Sequence, residues 1–227
     1  MSNKVLLTKI KKGAFQLTLM HPEKRNALSF ELIDDMIEAW QSLTQDTRLV
    51  LIRGDQKAFS SGLDRTILSC HKSDISLLSQ KIGELLALIH QSPFCVISVV
   101  EGAAVGGGVG LALACDLVIL SSQASMRLPE WTLGVFPEQI WPYLEKRVKH
   151  HIVLKALLSG NSMEASHLLK DGWVDDVVPH NMLSEFLDES ITRILSYPNS
   201  LIERYKLLTN IASNTSNCAQ LFMDEIN

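Results

Sequence analysis

Residues 101–116 read EGAAVGGGVGLALACD, and this stretch carries most of the fold prediction. Five of the twelve glycines of the chain fall between Gly102 and Gly110. They follow an apolar, strand-like run at 95–100 and lead into the helix-forming residues 111–114. A glycine-rich turn that opens a helix presents backbone N–H groups with no Cβ in the way, and the helix dipole adds positive potential. The stretch therefore predicts a site for an anion, or for the negative charge that develops on a carbonyl oxygen during a reaction.

Three common glycine motifs do not match this stretch. The dinucleotide-binding fingerprint needs a third glycine three places after Gly108, where this chain has Leu111. A phosphate-binding P-loop needs Gly-Lys-Ser/Thr, but Gly107 is followed by another glycine and by valine. The GxxxG spacing of membrane helices is present, but Glu101 and Asp116 enclose only 14 uncharged residues, too few to cross a bilayer. A tightly packed core helix remains the alternative interpretation.

Length and composition indicate a globular protein with one large domain. The chain has 227 residues, of which 46% are hydrophobic and 20% charged, and a net charge of −4. This balance gives no electrostatic reason to expect nucleic acid or an anionic membrane as the main partner. The four cysteines form no CxxC pair and the seven histidines show no metal-binding spacing, so we expect free thiols in a reducing compartment and no metal site. Because the N-terminus has no apolar signal segment, we expect a cytoplasmic protein.

The order of predicted elements indicates an α/β core followed by helices. Apolar runs predict strands at 4–10, 14–20, 49–53, 95–100 and 116–120, a loop at 55–64, and amphipathic helices at 29–43 (capped by Ser29) and 75–90. Alternation of strand and helix favours right-handed crossovers and a largely parallel sheet. From residue 138 onward the pattern is helical, with breaks at Gly160, Gly172 and Pro198 and a short extended piece at 173–178. We therefore divide the chain into an α/β core at 1–196 and a short helical region at 197–227.

Several further segments complete the pattern around the glycine turn. They are HPEKRNAL at 21–28, AFSSGLD at 58–64, GGG at 106–108 with ALACD at 112–116, PE at 129–130 and LG at 133–134. In this order, with compatible spacing and across roughly residues 3–200, they resemble the crotonase family, also called the enoyl-CoA hydratase/isomerase family. Each segment alone is a weak signal, whereas the combination is specific.

The resemblance implies a fold, a substrate class and an assembly. The implied fold is the α/β spiral of ClpP/crotonase proteins, built from stacked ββα units, with a helical C-terminal region. Members of the family usually assemble into trimers or pairs of trimers. The implied substrates are acyl thioesters of coenzyme A or of a carrier-protein phosphopantetheine arm, and no further cofactor is expected.

The resemblance also implies which backbone amides bind the thioester oxygen. They are the N–H groups of Ser61 and Gly107. An enolate needs such donors in place beforehand, and loss of one typically costs about 3–4 kcal/mol of transition-state stabilisation. By the same resemblance, the loops that hold the substrate and its coenzyme A carrier contribute Lys24, Arg25, Leu63, Asp64 and Gly106. The two cations among them are candidates to pair with phosphates.

The implied acid/base is Glu130, and here the chain departs from the hydratase pattern. Hydratases carry one glutamate two residues after the glycine triplet, where this chain has Gly110, and a second one 20 residues later. They use both carboxylates to hold and activate water, so a missing glutamate disfavours straightforward water addition. A single carboxylate with a pKa near neutrality can still move a proton between two carbons. Burial beside Leu128, Trp131 and Phe136 is expected to raise the pKa of Glu130.

We therefore predict a double-bond isomerase, similar to the Δ3-Δ2-enoyl-CoA isomerases of this family. One alternative is hydration or dehydration of 3-hydroxyacyl thioesters. It includes the dehydration step of polyketide β-branching, whose enzymes this chain resembles around residues 107–110, 136–137 and 141–147. The other alternative is a non-catalytic scaffold that binds acyl-CoA.

Overall fold

The computed structural model describes residues 4–69 and 71–214. Within them the strands, in chain order, are β1 (Val5–Lys11), β2 (Ala14–Leu19), β3 (Leu49–Arg53), β4 (Ala58–Ser60), β5 (Cys95–Val100), β6 (Ala103–Val105), β7 (Leu117–Ser121), β8 (Ser125–Arg127), β9 (Ser162–Glu164) and β10 (Asp176–Val178). The α-helices are α1 (Phe30–Gln41), α2 (Lys72–His90), α3 (Gly107–Leu113), α4 (Trp141–Arg147), α5 (His150–Ser159), α6 (Ala165–Lys170), α7 (Leu183–Ser196) and α8 (Asn199–Asn214).

A six-stranded sheet forms the centre of the fold. Its strand order is β1-β2-β3-β5-β7-β10, antiparallel between β1 and β2 and parallel between all other neighbours. In its middle Val50 of β3 pairs with Val96 of β5, and Val99 pairs with Ile119 of β7. The predicted α/β core with a largely parallel sheet is confirmed, and β3 and β5 have the predicted bounds.

The central strands are buried on both faces, which explains their unbroken apolar sequence. Alternate residues of a strand point to opposite faces, so each strand serves two hydrophobic cores. Val50 and Val96 belong to a core that includes Leu85 of α2. Leu51 belongs to a second core on the other face, together with Leu187 of α7. The sheet is therefore a middle layer between helices.

A second sheet has the strand order β4-β6-β8-β9, parallel except between β8 and β9. Each turn of the chain adds one strand to each sheet: β3 and β4, then β5 and β6, then β7 and β8. Helices α2 and α3 follow the first two of these pairs, which is the expected spiral of ββα units. The sequence predicts only a loop at 55–64, but β4 forms there, because three residues are too few to show a strand pattern.

Helix α1 begins as predicted, with Ser29 as its N-cap. The Ser29 hydroxyl accepts a hydrogen bond from the Leu32 N–H at 3.3 Å. Helix α2 begins at Lys72 rather than near Ile75. Its first turn is polar, and apolar periodicity therefore does not reveal it.

The C-terminal helix α8 is attached to the core by a buried cation. Lys206 is 3% exposed, and its Nζ donates to Asp116 Oδ1 at 2.7 Å and to the His90 carbonyl oxygen at 3.1 Å. The predicted boundary at 196/197 falls between α7 and α8, while the division into two regions stays a prediction, and residues 215–227 lie outside the described part of the chain. No helix in the described ranges is both long and apolar enough to cross a membrane.

Candidate active site

The glycine turn and the segment that contains β4 lie directly against each other. A Cβ atom added to Gly62 would lie 2.4 Å from the Val105 carbonyl oxygen and 3.1 Å from the Gly107 nitrogen. A Cβ atom on Gly108 would lie 2.4 Å from the Ser60 carbonyl oxygen. Any side chain at position 62 or 108 would therefore push the two loops apart. The parallel pairing of β4 with β6 holds them at this distance.

Gly106 shapes the entry into α3. Its φ of 52° and ψ of −116° form a conformation that side chains rarely permit, and its N–H donates to the Arg127 carbonyl oxygen at 2.9 Å. The next N–H, that of Gly107, donates to no residue that the structure describes. The N–H of Gly107, the predicted oxyanion donor, therefore has no acceptor in the described part of the chain.

The Ser61 amide, the second predicted donor, does have an acceptor in this structure. It donates to the Arg25 carbonyl oxygen at 2.9 Å, and the Ser61 hydroxyl donates to the Lys24 carbonyl oxygen at 3.1 Å. A substrate oxygen that binds the Ser61 N–H has to replace the Arg25 carbonyl. Leu63, two residues further on, is half-buried and forms an isolated parallel β-bridge with the loop that carries these carbonyls. The two predicted donors therefore differ: the Ser61 N–H has an acceptor, and the Gly107 N–H has none among the described residues.

Asn26 and Ser60 connect these loops, and neither of them was predicted as a site residue. Asn26 is fully buried at a φ of 52°; its Nδ2 donates to the Ala58 carbonyl oxygen at 3.0 Å, and its Oδ1 accepts from the His21 N–H at 2.8 Å. The Ser60 hydroxyl donates to the Asn26 carbonyl oxygen at 2.7 Å and accepts from the Gly62 N–H at 3.2 Å. Asparagine tolerates the left-handed region of backbone conformation better than most residues, and this preference was the one local indication of a structural role for Asn26.

Lys24 and Asp64 form an ion pair, with 2.7 Å between Nζ and Oδ2. Burial raises the pKa of Asp64, but hydrogen bonds from Lys24 and Thr66 outweigh it, so the pKa lies below its usual value. Arg25 differs, because its side chain is exposed and its guanidinium has no hydrogen bond or ion pair with any described residue. Of the two predicted phosphate-binding cations, Arg25 is the one with its charge unpaired.

Glu130 lies beside the glycine turn, at the start of a 3-10 helix that follows β8. Its Oε1 would lie 2.8 Å from a Cβ atom on Gly106, and its buried Oε2 has no hydrogen-bond partner among the described residues. Burial raises the pKa of Glu130, opposed in part by a backbone hydrogen bond, and this direction is the predicted one. Of the apolar neighbours expected to bury it, Leu128 is fully buried, whereas Trp131 and Phe136 are 38% and 52% exposed.

Gly110 lies in α3, one turn after Gly106, and it is buried. A Cβ atom on Gly110 would lie 2.1 Å from Cγ2 and 2.7 Å from Cβ of Ile140. Ile140 precedes α4 and is 3% exposed. Position 110 is where the family resemblance implies the first hydratase glutamate, and the fold shows that Ile140 packs against this position.

Within residues 4–69 and 71–214, no three His, Cys, Asp or Glu side chains are grouped as a metal site would require. Cys95 and Cys115 are free thiols, as expected, and Cys70 and Cys218 lie outside the described residues. Burial raises the pKa of Cys95 to about 12 and also raises the pKa of Cys115, so neither is ionised near neutral pH. For proton transfer the described site offers the Glu130 carboxylate, whose pKa is raised by burial, and for binding of an oxyanion it offers backbone N–H groups.

Comparison with known sequences identifies the family of this chain. The family model described as enoyl-CoA hydratase/isomerase matches residues 9–225. The 2,3-dehydroadipyl-CoA hydratase of Escherichia coli K12 is 31% identical over 173 residues, which are 75% of this chain and 68% of that protein. The mitochondrial enoyl-CoA hydratase domain-containing protein 3 of Rattus norvegicus is 26% identical over 201 residues, 86% of this chain and 66% of that protein. The chain spans about two thirds of the length of these curated relatives.

Solved structures share the fold over almost the whole chain. An enoyl-CoA hydratase/isomerase from Marinobacter aquaeolei superposes with a TM-score of 0.89 at 26% identity, covering 98% of this chain and 88% of that one. An enoyl-CoA hydratase from Bacillus anthracis superposes with a TM-score of 0.91 over 98% of this chain and 88% of that one, and at 23% identity it shows the fold alone. Because one family model covers residues 9–225 and related structures superpose along the chain, the protein belongs to the enoyl-CoA hydratase/isomerase (crotonase) family.

Proposed function

We propose that this protein isomerises a double bond in an enoyl thioester, with Glu130 as its single acid/base. The observation that supports this most directly is the buried Oε2 of Glu130, which has no described partner and lies beside the glycine turn. A carboxylate whose pKa is raised by burial is a better base than an ordinary surface glutamate. Gly110 leaves α3 without a second carboxylate at the place where hydratases have one.

The reaction requires one proton to leave C2 and one to reach C4. The Glu130 carboxylate takes a proton from C2 of a 3-enoyl thioester; the C–H electron pair forms the C1=C2 bond, and the carbonyl π pair moves onto oxygen. The protonated Glu130 then gives the proton to C4. The C3=C4 π pair forms the new C4–H bond, the C1=C2 π pair becomes the C2=C3 bond, and the oxygen pair restores the carbonyl. One carboxylate therefore suffices, and we propose that no metal or further cofactor takes part.

The dienolate oxygen needs hydrogen-bond donors, and we propose the N–H groups of Gly107 and Ser61 for this role. The unpartnered Gly107 N–H and its closeness to the Gly62 loop support this assignment. Each donor of this kind is typically worth about 3–4 kcal/mol in the transition state. The Ser61 N–H takes part when the substrate oxygen replaces the Arg25 carbonyl.

We propose coenzyme A, or the phosphopantetheine arm of a carrier protein, as the carrier of the acyl group. The exposed, unpaired guanidinium of Arg25 suits a phosphate, and Lys24, held by Asp64, stands next to it in the same loop. Leu63 offers half-buried apolar surface for the pantetheine arm. Gly106 leaves space for the Glu130 carboxylate beside the turn.

We also propose a homotrimer or a pair of trimers. Large apolar side chains are exposed after Glu130 and on the neighbouring helix α5: Trp131, Leu133, Val135, Phe136, Leu154 and Leu158. The two segments are adjacent, since a Cβ atom on Gly160 would lie 2.5 Å from Thr132 Cγ2. Exposed apolar surface of this kind marks interaction sites. The cytoplasmic location stays a prediction; the rat relative is named as mitochondrial.

The direct test is an assay of 3-enoyl-CoA thioesters of several chain lengths, with deuterium exchange at C2 followed in parallel. We expect the wild type to form the 2-enoyl product, and Glu130→Gln to lose about 10²–10⁴-fold in rate. The matched control is Glu138→Gln, because Glu138 is an exposed glutamate close by in the sequence, and it should keep the wild-type rate. Full turnover in Glu130→Gln would show that another group is the base.

Hydration or dehydration of 3-hydroxyacyl thioesters is the second candidate, and the name of the Escherichia coli relative at 31% identity favours it. The same preparations should be assayed with 2-enoyl and 3-hydroxyacyl thioesters, including branched 3-methylglutaryl-type substrates. A wild-type hydration rate at or above the isomerisation rate would favour this candidate. Binding of coenzyme A without turnover or exchange on any substrate would favour a scaffold.

A further inference from the structure

Ile140, in the turn before α4, fills the space beside Gly110 of α3. Gly110 has no side chain, and the two atoms that a Cβ at this position would meet first are Cγ2 and Cβ of Ile140, at 2.1 and 2.7 Å. Leu86 of α2 closes the remaining side, with its Cδ1 at 3.4 Å. Non-bonded carbon atoms essentially never approach within 3.0 Å of each other, so no residue larger than glycine fits position 110 without displacement of Ile140.

Ile140 is held firmly in this place. Its N–H donates to the Pro137 carbonyl oxygen at 3.2 Å, and its carbonyl oxygen accepts from the N–H groups of Tyr143 and Leu144, both at 3.1 Å. The side chain is 3% exposed and belongs to the main hydrophobic core. A displacement of Ile140 would therefore disturb both the start of α4 and the core around it.

The contact lies close to the proposed acid/base. Gly106, whose added Cβ atom would lie 2.8 Å from Glu130 Oε1, precedes Gly110 by one helical turn, and the Gly110 N–H donates to the Gly106 carbonyl oxygen at 3.1 Å. The Glu130 carboxylate thus lies against the N-cap of α3, and Ile140 lies against the helix one turn further along the chain. The apolar side chain of Ile140 stands where a carboxylate side chain on residue 110 would need space.

We propose that Ile140 is a specificity-determining residue, which keeps a second acid/base and its water out of the site and so restricts the enzyme to chemistry with one carboxylate. The proposal rests on the proposed function, because it explains a preference for isomerisation over hydration. Packing imposes a separate constraint, because positions 110 and 140 share one volume and only one of them can carry a side chain.

The test is a set of variants at the two positions. Gly110→Glu alone should fold poorly or show no hydration of a 2-enoyl thioester. Ile140→Ala should rescue the Gly110→Glu variant only in part, because the Cβ atom at position 140 would still lie 2.7 Å from the Cβ atom at position 110. Gly110→Glu combined with Ile140→Gly should gain hydration by about a hundredfold over the wild type, the usual lower contribution of a positioned acid/base. The matched control is Gly110→Gln with Ile140→Gly, which has the same size without the carboxylate and should gain none.

Packing is measured independently of activity. The melting temperatures of Gly110→Ala, Ile140→Gly and the double variant should be non-additive, with Gly110→Ala harmful in the wild-type background and nearly harmless beside Ile140→Gly. Additive shifts in melting temperature would show that positions 110 and 140 do not share one volume. A folded Gly110→Glu/Ile140→Gly variant without hydration, or Gly110→Glu alone hydrating equally well, would overturn the specificity role.

The outcomes also separate this proposal from the proposed function. If the wild type isomerises and loses activity in Glu130→Gln, but the double variant gains no hydration, only the role of Ile140 fails. If the wild type shows no isomerisation while the double variant gains hydration and the melting temperatures are coupled, isomerisation fails and the role of Ile140 stands.

Discussion

Replacement of Ser60 by alanine should damage the candidate site much more than the same replacement at Ser61. The Ser60 hydroxyl is fully buried and makes two hydrogen bonds, to the Asn26 carbonyl oxygen at 2.7 Å and from the Gly62 N–H at 3.2 Å. Ser60→Ala removes both bonds and leaves two buried backbone groups with one partner fewer. At about 1 kcal/mol for each bond, with a further contribution from the desolvated N–H, we expect a loss of about 2–3 kcal/mol in the free energy of unfolding. For a chain of this length that corresponds to a fall of about 5–10 °C in melting temperature.

The effect on turnover should exceed the effect on stability. Ser60 sets the distance between the loop of Asn26 and the loop of Gly62, so its loss loosens the Ser61 donor of the proposed oxyanion hole, and we expect turnover to fall by more than about tenfold. Ser61→Ala is the control, because it keeps the backbone N–H and removes only a hydroxyl bond at a partly exposed position; its cost should stay below about 1 kcal/mol. Thermal unfolding and a 3-enoyl-CoA assay measure both quantities. Equal shifts for the two variants would refute the reasoning.

Three further predictions concern the buried charges. Burial raises the pKa of Glu130 above its unfolded value of about 4.3. Its contribution to stability is therefore fully present below the unfolded pKa and is lost as the pH rises through the raised one. Urea unfolding should find Glu130→Gln more stable than the wild type near pH 8, with the difference vanishing near pH 4. Asp64 has a lowered pKa, so its pairing with Lys24 stabilises the fold above the unfolded pKa and the benefit is lost as the pH falls through the lowered one; Asp64→Asn should therefore cost stability at neutral pH but not in strong acid, again by urea unfolding. Lys206→Met should cost about 3–5 kcal/mol because it leaves Asp116 without its buried partner, and Asp116→Asn in the same chain should recover most of this loss in a calorimetric comparison.

Much of the fold could be predicted because its central strands are buried on both faces. Unbroken apolar runs identify β3 and β5 with their observed bounds, and the Ser29 cap identifies the start of α1. The strand β4 could not be predicted, because its three residues form a strand only through pairing with β6. Short elements of this kind depend on tertiary contacts more than on local pattern.

The sequence predicts those parts of the candidate site that depend on residue types and their spacing. The glycine turn, Glu130 and the missing glutamate at Gly110 follow from the sequence together with a family resemblance. The packing of Ile140 against Gly110 and the bond from the Ser61 amide to the Arg25 carbonyl do not, since both join segments far apart in the chain. Long-range contacts of this kind have no periodic signal in a single sequence.

The hydrogen bond from the Ser61 amide to the Arg25 carbonyl creates a competition that discriminates between two states of the substrate. A neutral thioester oxygen that takes this N–H replaces one neutral acceptor by another, and gains little free energy. The enolate oxygen is charged, and hydrogen bonds to charged acceptors are roughly twice as strong. With Ser61 in its proposed role, competition from the Arg25 carbonyl therefore weakens the binding of the neutral thioester more than the binding of the charged enolate. Such a difference raises kcat instead of only lowering KM.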